Sequence, residues 1–217
     1  MGMLDAIGER ISLRETIAEK LRGAIITGEM RPGQVYSAAA LAHTLGVSAT
    51  PVREAMLTLA QEGMVEAVRN KGFRVIELAD SDLDQITYLR RLIEVPAVAE
   101  ITKGPRNAEA ASLRGLADAI VAAAARSDLT EYLRADREFH LGLLRLSGNE
   151  ILVQIVGDLR SRARLYGLHA LDTSGGLGAS AAEHAELVDL VTAGDADGAR
   201  ELMDRHIGHV RTIWAGL

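Results

Sequence analysis

The chain has 217 residues, 48% hydrophobic and 3% aromatic, with a formal net charge of −6. That length allows one large or two small domains around a sizeable core, and the net acidity argues against indiscriminate binding to nucleic acid while leaving room for a local basic patch. The lack of cysteine excludes disulfides and thiolate metal sites, no apolar run approaches bilayer length, and the opening MGMLDAIGERISLRE is too charged for a secretory signal, so the expected setting is the cytoplasm with no membrane partner.

The expected fold is mostly α, divided near residue 79. Residues 1–78 read as a winged helix-turn-helix and residues 79–217 as an all-α bundle of about six helices. Ser12-Leu-Arg-Glu15 is a capping-box pattern. It opens a helix with Ile17, Leu21, Ala24 and Ile25 on one face, ending at Gly28. Arg31-Pro32-Gly33 is a turn. Ser37 can cap a short helix, AAALAHTLG, that stops at Gly46. Ser48 then caps a second helix whose buried stripe is Val52, Met56, Leu59 and Ala60. MVEAV, RNKG and FRVIEL follow as strand, tight turn and strand.

A short helix, a Gly-containing turn and a second helix make a helix-turn-helix, and the hairpin adds a wing. Pro51 falls in the first turn of the recognition helix, where its missing N–H costs nothing. Ser48, Thr50 and the free N–H groups crowd the positive end of that helix, which suits a phosphate. Residues 49, 50 and 53 share the face opposite the apolar stripe, so Arg53 is placed to fork onto a guanine edge or a phosphate. Arg69, Lys71 and Arg74 surround the hairpin tip as a backbone or minor-groove contact needs.

The segment ETIAEKLRGAIITGEMRPGQVYSAAALAHTLGVSATPVREAMLTLAQEGMVEAVRNKGFRV resembles the winged-helix domain of GntR-type bacterial transcription regulators. The matching elements are I-x-x-G-x-x-x-P-G, then LA-x-x-LGVS-x-TPVREA-x-x-x-L-x-x-EG, then a wing ending in G-F-x-V. The resemblance implies binding to double-stranded operator DNA. By position, Ser48, Thr50, Pro51 and Arg53 resemble the DNA-contacting start of the recognition helix, and Lys71 and Gly72 the wing contact. The family usually has arginine at the position of Ala49. A second basic contact of some relatives also has no match at Ala38-Ala39-Ala40.

In the second part, helices are expected over 81–103, 107–126, 128–147, 149–171, 180–193 and 196–215. Asp128-x-x-Glu131 and Ser180-x-x-Glu183 read as capping boxes, and TSGGLGAS as a loop. Several polar residues fall on apolar stripes. Asp136 and His140 share a face with Leu129, Tyr132, Leu133, Leu143 and Leu144. His184 begins the stripe of Leu187, Val188 and Val191. His206 interrupts that of Leu202, Met203, Ile207 and Val210. Unpartnered ionisable groups in a core are costly, so the economical reading is that the four meet around a cation. One carboxylate and three imidazoles suit Zn²⁺, Ni²⁺ or Mn²⁺. Arg90 lies on the stripe of Leu83, Ile86, Ile93 and Ala97, with Glu94 one turn on. It either forms an internal salt bridge or anchors the carboxylate of a small ligand. His209 reads as a rim residue, Glu183 as turned to another face, and His43 and His169 have no such setting.

Residues 82–214 resemble the FCD ligand-sensing domain of the FadR branch of that family, in its shorter six-helix form. The elements are Tyr-Leu-Arg90-x-x-x-Glu94, Asp136-x-x-x-His140, Ser-Gly-Asn149, Glu-His184-x-x-Leu and Met-x-x-His206-Ile. The resemblance implies a metal held by Asp136, His140, His184 and His206, a small organic-acid effector, and a homodimer. The function expected is thus transcription regulation rather than catalysis. The alternatives are a metalloenzyme with an accessory winged helix, and a metal sensor proper.

Overall fold

The computed structural model describes residues 12–77, 79–163 and 176–212, apart from the side chains at 80 and 210–212. The chain forms two compact units that divide between Val75 and Ile76.

In the first unit, α1 (Leu13–Ile26) opens on the expected capping box. The Ser12 hydroxyl accepts from Glu15 N at 3.2 Å, and the Glu15 carboxylate accepts from Ser12 N at 2.8 Å. Its buried face is Ile17, Ala18, Leu21, Ile25 and Ile26, with Ala24 only half-buried. A two-residue strand, β1 (Val35–Tyr36), comes next; so short a strand leaves no periodic signal in sequence. Ser37 caps α2 (Ala38–Leu45), its hydroxyl accepting from Ala40 N at 3.1 Å, and Gly46 ends that helix in the left-handed region. α3 (Ala49–Gln61) packs on α1 and α2. Val52, Ala55, Met56 and Leu59 are its fully buried residues, while Ala60 is half-buried. Arg22 of α1 grips Glu62, just past α3, with two bonds of 3.0 and 2.6 Å. That fork ties the end of α3 to α1.

β2 (Val65–Val68) and β3 (Gly72–Val75) form the expected hairpin, and β1 pairs antiparallel with β3 to give the order β1-β3-β2. β3 stops at Val75, short of the expected FRVIEL run, whose Leu78 lies outside the described residues.

The second unit contains six α-helices among the described residues: α4 (Asp80–Lys103), α5 (Arg114–Ala125), α6 (Leu129–Arg145), α7 (Glu150–Ala163), α8 (Leu177–Ala193) and α9 (Ala196–Thr212). The helix expected over 107–126 begins instead as a 3-10 segment, Asn107–Leu113. Asp128 accepts from Glu131 N at 3.1 Å, but Arg134 takes the Glu131 carboxylate, so half of that capping box forms. The Ser180–Glu183 box does not form. Leu177 is buried and carries the apolar stripe one turn upstream, so α8 starts there and Ser180 lies inside it. The expected run of the fourth helix to 171, most of the TSGGLGAS loop, the end of the sixth helix and His169 lie outside the described residues.

α9 lies along α4, and α5 packs between α6 and α8. Phe139, Ile120, Leu143, Leu144, Leu202, Met203 and Ile207 are fully buried between them. Each such side chain contributes about 1.5–3 kcal/mol relative to exposure. That apolar packing is what holds α6, α8 and α9 close enough for their polar residues to meet.

Candidate functional site

The recognition helix is opened by an unusual cap. Ser48 has the extended backbone of an N-cap residue, yet its side chain makes no capping bond. An N-cap hydroxyl accepts from the second or third N–H of its helix. In α3 the third residue is Pro51, which has none. Ser37, at the same position in α2, takes the third N–H. Ser48 therefore occupies the expected cap position without performing the bond. Ser48, Ala49, Thr50 and Arg53 are exposed and Pro51 is half-buried. A positive helix end, a hydroxyl and a guanidinium on one exposed face can meet phosphates and base edges.

In the wing, Arg69 and Lys71 are exposed at the turn. Arg74, the third expected cation, sits opposite Glu66 across the hairpin and donates to it at 2.7 Å. The tip thus presents two cations, not three. Gly72 has φ +131°, and a Cβ there would stand 2.3 Å from the Tyr36 carbonyl oxygen. Its presence follows from the close approach of β3 to β1.

The second unit gathers Asp136 and His140 of α6, His184 of α8 and His206 of α9, each at most 9% exposed. One ligand atom from each lies within 4.8 Å of the others. His140 Nε2 is 3.2 Å from His184 Nε2 and 3.1 Å from His206 Nε2. Asp136 Oδ1 is 3.2 Å from His184 Nε2 and 3.5 Å from His140 Nε2. The outer nitrogens fix the tautomers. His184 Nδ1 donates to the Ala181 carbonyl at 3.1 Å, and His206 Nδ1 donates to Glu183 at 2.8 Å. A neutral imidazole carries one N–H, so both Nε2 atoms turn lone pairs inward. Two inward lone pairs and a carboxylate oxygen in a buried space need a shared positive partner, which either an N–H on His140 Nε2 or a bound cation supplies. The donor set fits a divalent ion that accepts nitrogen and oxygen ligands.

Two neighbours were not foreseen. Arg160 of α7 is buried and donates through Nη2 to Asp136 Oδ2 at 3.0 Å and through Nη1 to Glu94 at 2.9 Å. This leaves Asp136 Oδ1 for the imidazoles. Glu94 also accepts from Arg90 Nε at 2.6 Å, so the internal salt bridge forms. Arg160 follows Val153, Val156 and Gly157 on the buried face of α7. The stripe rule that found Arg90 therefore points to it equally. The Arg160 Nε–H is buried with no acceptor among the described residues, a spare donor beside the cluster. The other neighbour is Glu183, expected to turn away from His184. It is buried and bonded to His206 and to Arg205 Nε. The expected capping role hid it. His209, the expected rim residue, is half-buried, its Nδ1 3.4 Å from Glu183.

Burial, reinforced by the Arg160 charge, drives His140 well below the usual imidazole range. Burial also pushes His206 down to about 4, against the hydrogen bond to Glu183. Both are neutral at pH 7, the form a metal needs. Burial pushes Glu94 up, but the Arg90 and Arg160 guanidiniums outweigh it and hold the carboxyl below its ordinary 4.5.

A winged helix-turn-helix followed by a helical bundle with a buried ionisable cluster defines a class, the two-domain DNA-binding transcription regulators. The chain belongs to the gntR family of bacterial regulatory proteins, matched over residues 13–75, and carries an FCD domain over residues 85–209. An HTH-type transcriptional regulator from an unstable DNA locus of Streptomyces ambofaciens is 34% identical over 198 residues, 89% of this chain and 81% of that one. The HTH-type transcriptional regulator McbR of Escherichia coli is 29% identical over 163 residues, 75% of this chain and 73% of its own. The solved structure of E. coli McbR matches with a TM-score of 0.72 at 26% identity, over 95% of this chain and 99% of that one. The metal-free FCD domain of TM0439 shares the fold at TM-score 0.50 and 21% identity, over 64% of this chain and 96% of that domain. No helix among the described residues is long and apolar enough to cross a membrane.

Proposed function

We propose that this DNA-binding regulator senses a small organic anion through a divalent metal ion held by Asp136, His140, His184 and His206. The observation that carries the reading is the convergence of three imidazole nitrogens and one carboxylate oxygen in a buried space. When bound, the ion supplies a fixed positive charge and open coordination positions for an oxygen ligand. Zn²⁺ fits the ligand set best, with Ni²⁺ and Mn²⁺ as the other metals it suits. The charge balance supports an anionic effector. Arg90 and Arg160 cancel Glu94 and Asp136, and the Glu183 carboxylate behind His206 is shared with the exposed Arg205, so a divalent ion still leaves the site with net buried positive charge. A small carboxylate would offset it and reach the spare Arg160 donor. We assign Arg90 to the same anion, with Glu94 its partner before the anion arrives.

On DNA, Ser48, Thr50, Pro51 and Arg53 meet the operator at the start of α3, and Lys71 and Gly72 bring the wing to the backbone. The chain works as a homodimer, which sets two recognition helices in successive major grooves of an imperfect palindrome. The exposed Tyr88, Leu89 and Leu92 on one face of α4 offer apolar surface for a second copy. Such work belongs in the cytoplasm. We read it as regulation rather than catalysis, since the neighbouring carboxylates Glu183 and Glu94 are both committed, Glu183 to His206 and Arg205 and Glu94 to Arg90 and Arg160. Metal analysis of purified protein, with a thermal-shift screen of small carboxylates, tests the sensing. The expected result is a bound divalent metal and a carboxylate that stabilises the loaded protein but not Asp136→Ala. Protein that takes up no metal from Zn²⁺, Ni²⁺ or Mn²⁺ solutions would sink the reading.

A further inference from the structure

We infer that Glu183 is a positioning residue for the metal centre, acting through His206; this rests on the ion proposed above. His206 comes from α9 and is among the most exposed of the four ligands, at 9%. Glu183 comes from α8, next in sequence to His184. Its Oε2 accepts from His206 Nδ1 at 2.8 Å, and its Oε1 accepts from Arg205 Nε at 3.0 Å. A carboxylate only accepts hydrogen bonds, so the proton must sit on His206 Nδ1. The Nε2 lone pair then points at His140 Nε2, 3.1 Å away. One bond therefore sets both the tautomer of His206 and the rotation of its ring.

His184 is held differently. Its Nδ1 donates to the carbonyl of Ala181, three residues earlier in the same helix. That neutral acceptor is supplied by the backbone and survives any side-chain substitution. Glu183 is instead a charged acceptor reaching from one helix to the next. A carboxylate behind a metal-bound imidazole makes the ring a stronger donor to the ion and fixes its orientation. The residue pair Glu183-His184 thus serves the centre twice, His184 as a ligand and Glu183 as the orienter of a ligand on another helix. Arg205 holds the far oxygen and keeps the carboxylate aimed.

The test is a Co²⁺ titration of the full chain against a competing chelator, for wild type, Glu183→Gln and Glu183→Ala. The visible Co²⁺ bands report the coordination, and ¹⁵N spectra of labelled histidine report the His206 tautomer. Glu183→Ala should lose about 10–100-fold in affinity. Its Co²⁺ bands should shift, and the Nδ1–H form of His206 should lose its dominance. Glu183→Gln keeps the size and one acceptor oxygen and should recover part of the affinity. A merely structural role would lower the melting temperature of the metal-free variants and leave affinity, bands and tautomer as in wild type. Wild-type affinity and spectra in both variants would overturn this inference alone. Failure of wild-type protein to bind Co²⁺ or Zn²⁺ would overturn the ion and this inference with it.

Discussion

The two units place their polar residues in opposite ways. In the first, Ser48, Thr50, Arg53, Arg69 and Lys71 stand on the outside of a small apolar core, exposed to solvent. In the second, Arg90, Glu94, Asp136, His140, Arg160, Glu183, His184 and His206 are all buried. The first unit is built to meet a large charged surface, which needs little desolvation and no fixed cavity. The second holds its charges in a low-dielectric interior, where each group depends on its neighbours and binding is tied to packing. Substitutions should therefore separate cleanly. Outer residues of the first unit govern DNA affinity without stability, and the buried residues of the second govern stability and ligand response together.

The largest effect belongs to Glu94. Glu94→Ala leaves Arg90 and Arg160 buried without their shared carboxylate, and the cost should be about 3–5 kcal/mol. Urea unfolding of the purified protein measures it, and a cost below about 1 kcal/mol would break the contrast between the units. Acid should then erase the same contribution. The folded carboxyl lies below its ordinary 4.5, so its stabilisation is complete above that pH and fades as pH falls through the folded value. Below pH 4.5 wild type should lose stability more steeply than Glu94→Gln; parallel curves would remove Glu94 as the cause.

Smaller changes are expected on the DNA side. Arg53→Ala should weaken binding to an operator selected from random-sequence DNA roughly ten- to a hundred-fold. Its melting temperature should match wild type, and a drop in both would show that Arg53 belongs to the core economy after all. Smallest is Ala49→Arg, which adds a cation on the exposed face beside Thr50. It should tighten operator binding by roughly three- to ten-fold, read by fluorescence anisotropy. Unchanged or weaker binding would show that this face does not enter the groove.

Most of the fold was legible because it is local. The Ser12 and Ser37 caps, the apolar stripes of α3, α6 and α8, and the turn glycines act within a few residues of themselves. The four-residue cluster was legible for a related reason. A histidine or aspartate on an apolar stripe must find a partner, so each stripe pointed inward separately. What was hidden depends on contacts between helices. Arg160 stands on a readable apolar stripe, but its double grip on Glu94 and Asp136 needs three helices in place. Glu183 was lost to a competing local signal, the Ser180–Glu183 box, which the burial of Leu177 overrides. In sequence Arg74 reads as a wing cation, because strand register, which puts Glu66 opposite, is set by the turn rather than by either residue.

Pro51 also bears on how the target of such a regulator can change over time. Loss of Ser37 would take a bonded cap from α2 and cost about 1 kcal/mol. Ser48 has no such debt to α3, because its side chain makes no capping bond. Position 48 can therefore be replaced with little penalty to folding, although it stands on the exposed start of the helix proposed to meet the operator. After gene duplication, one copy could shift its operator preference by a single step there. No second, compensating substitution would have to arrive first.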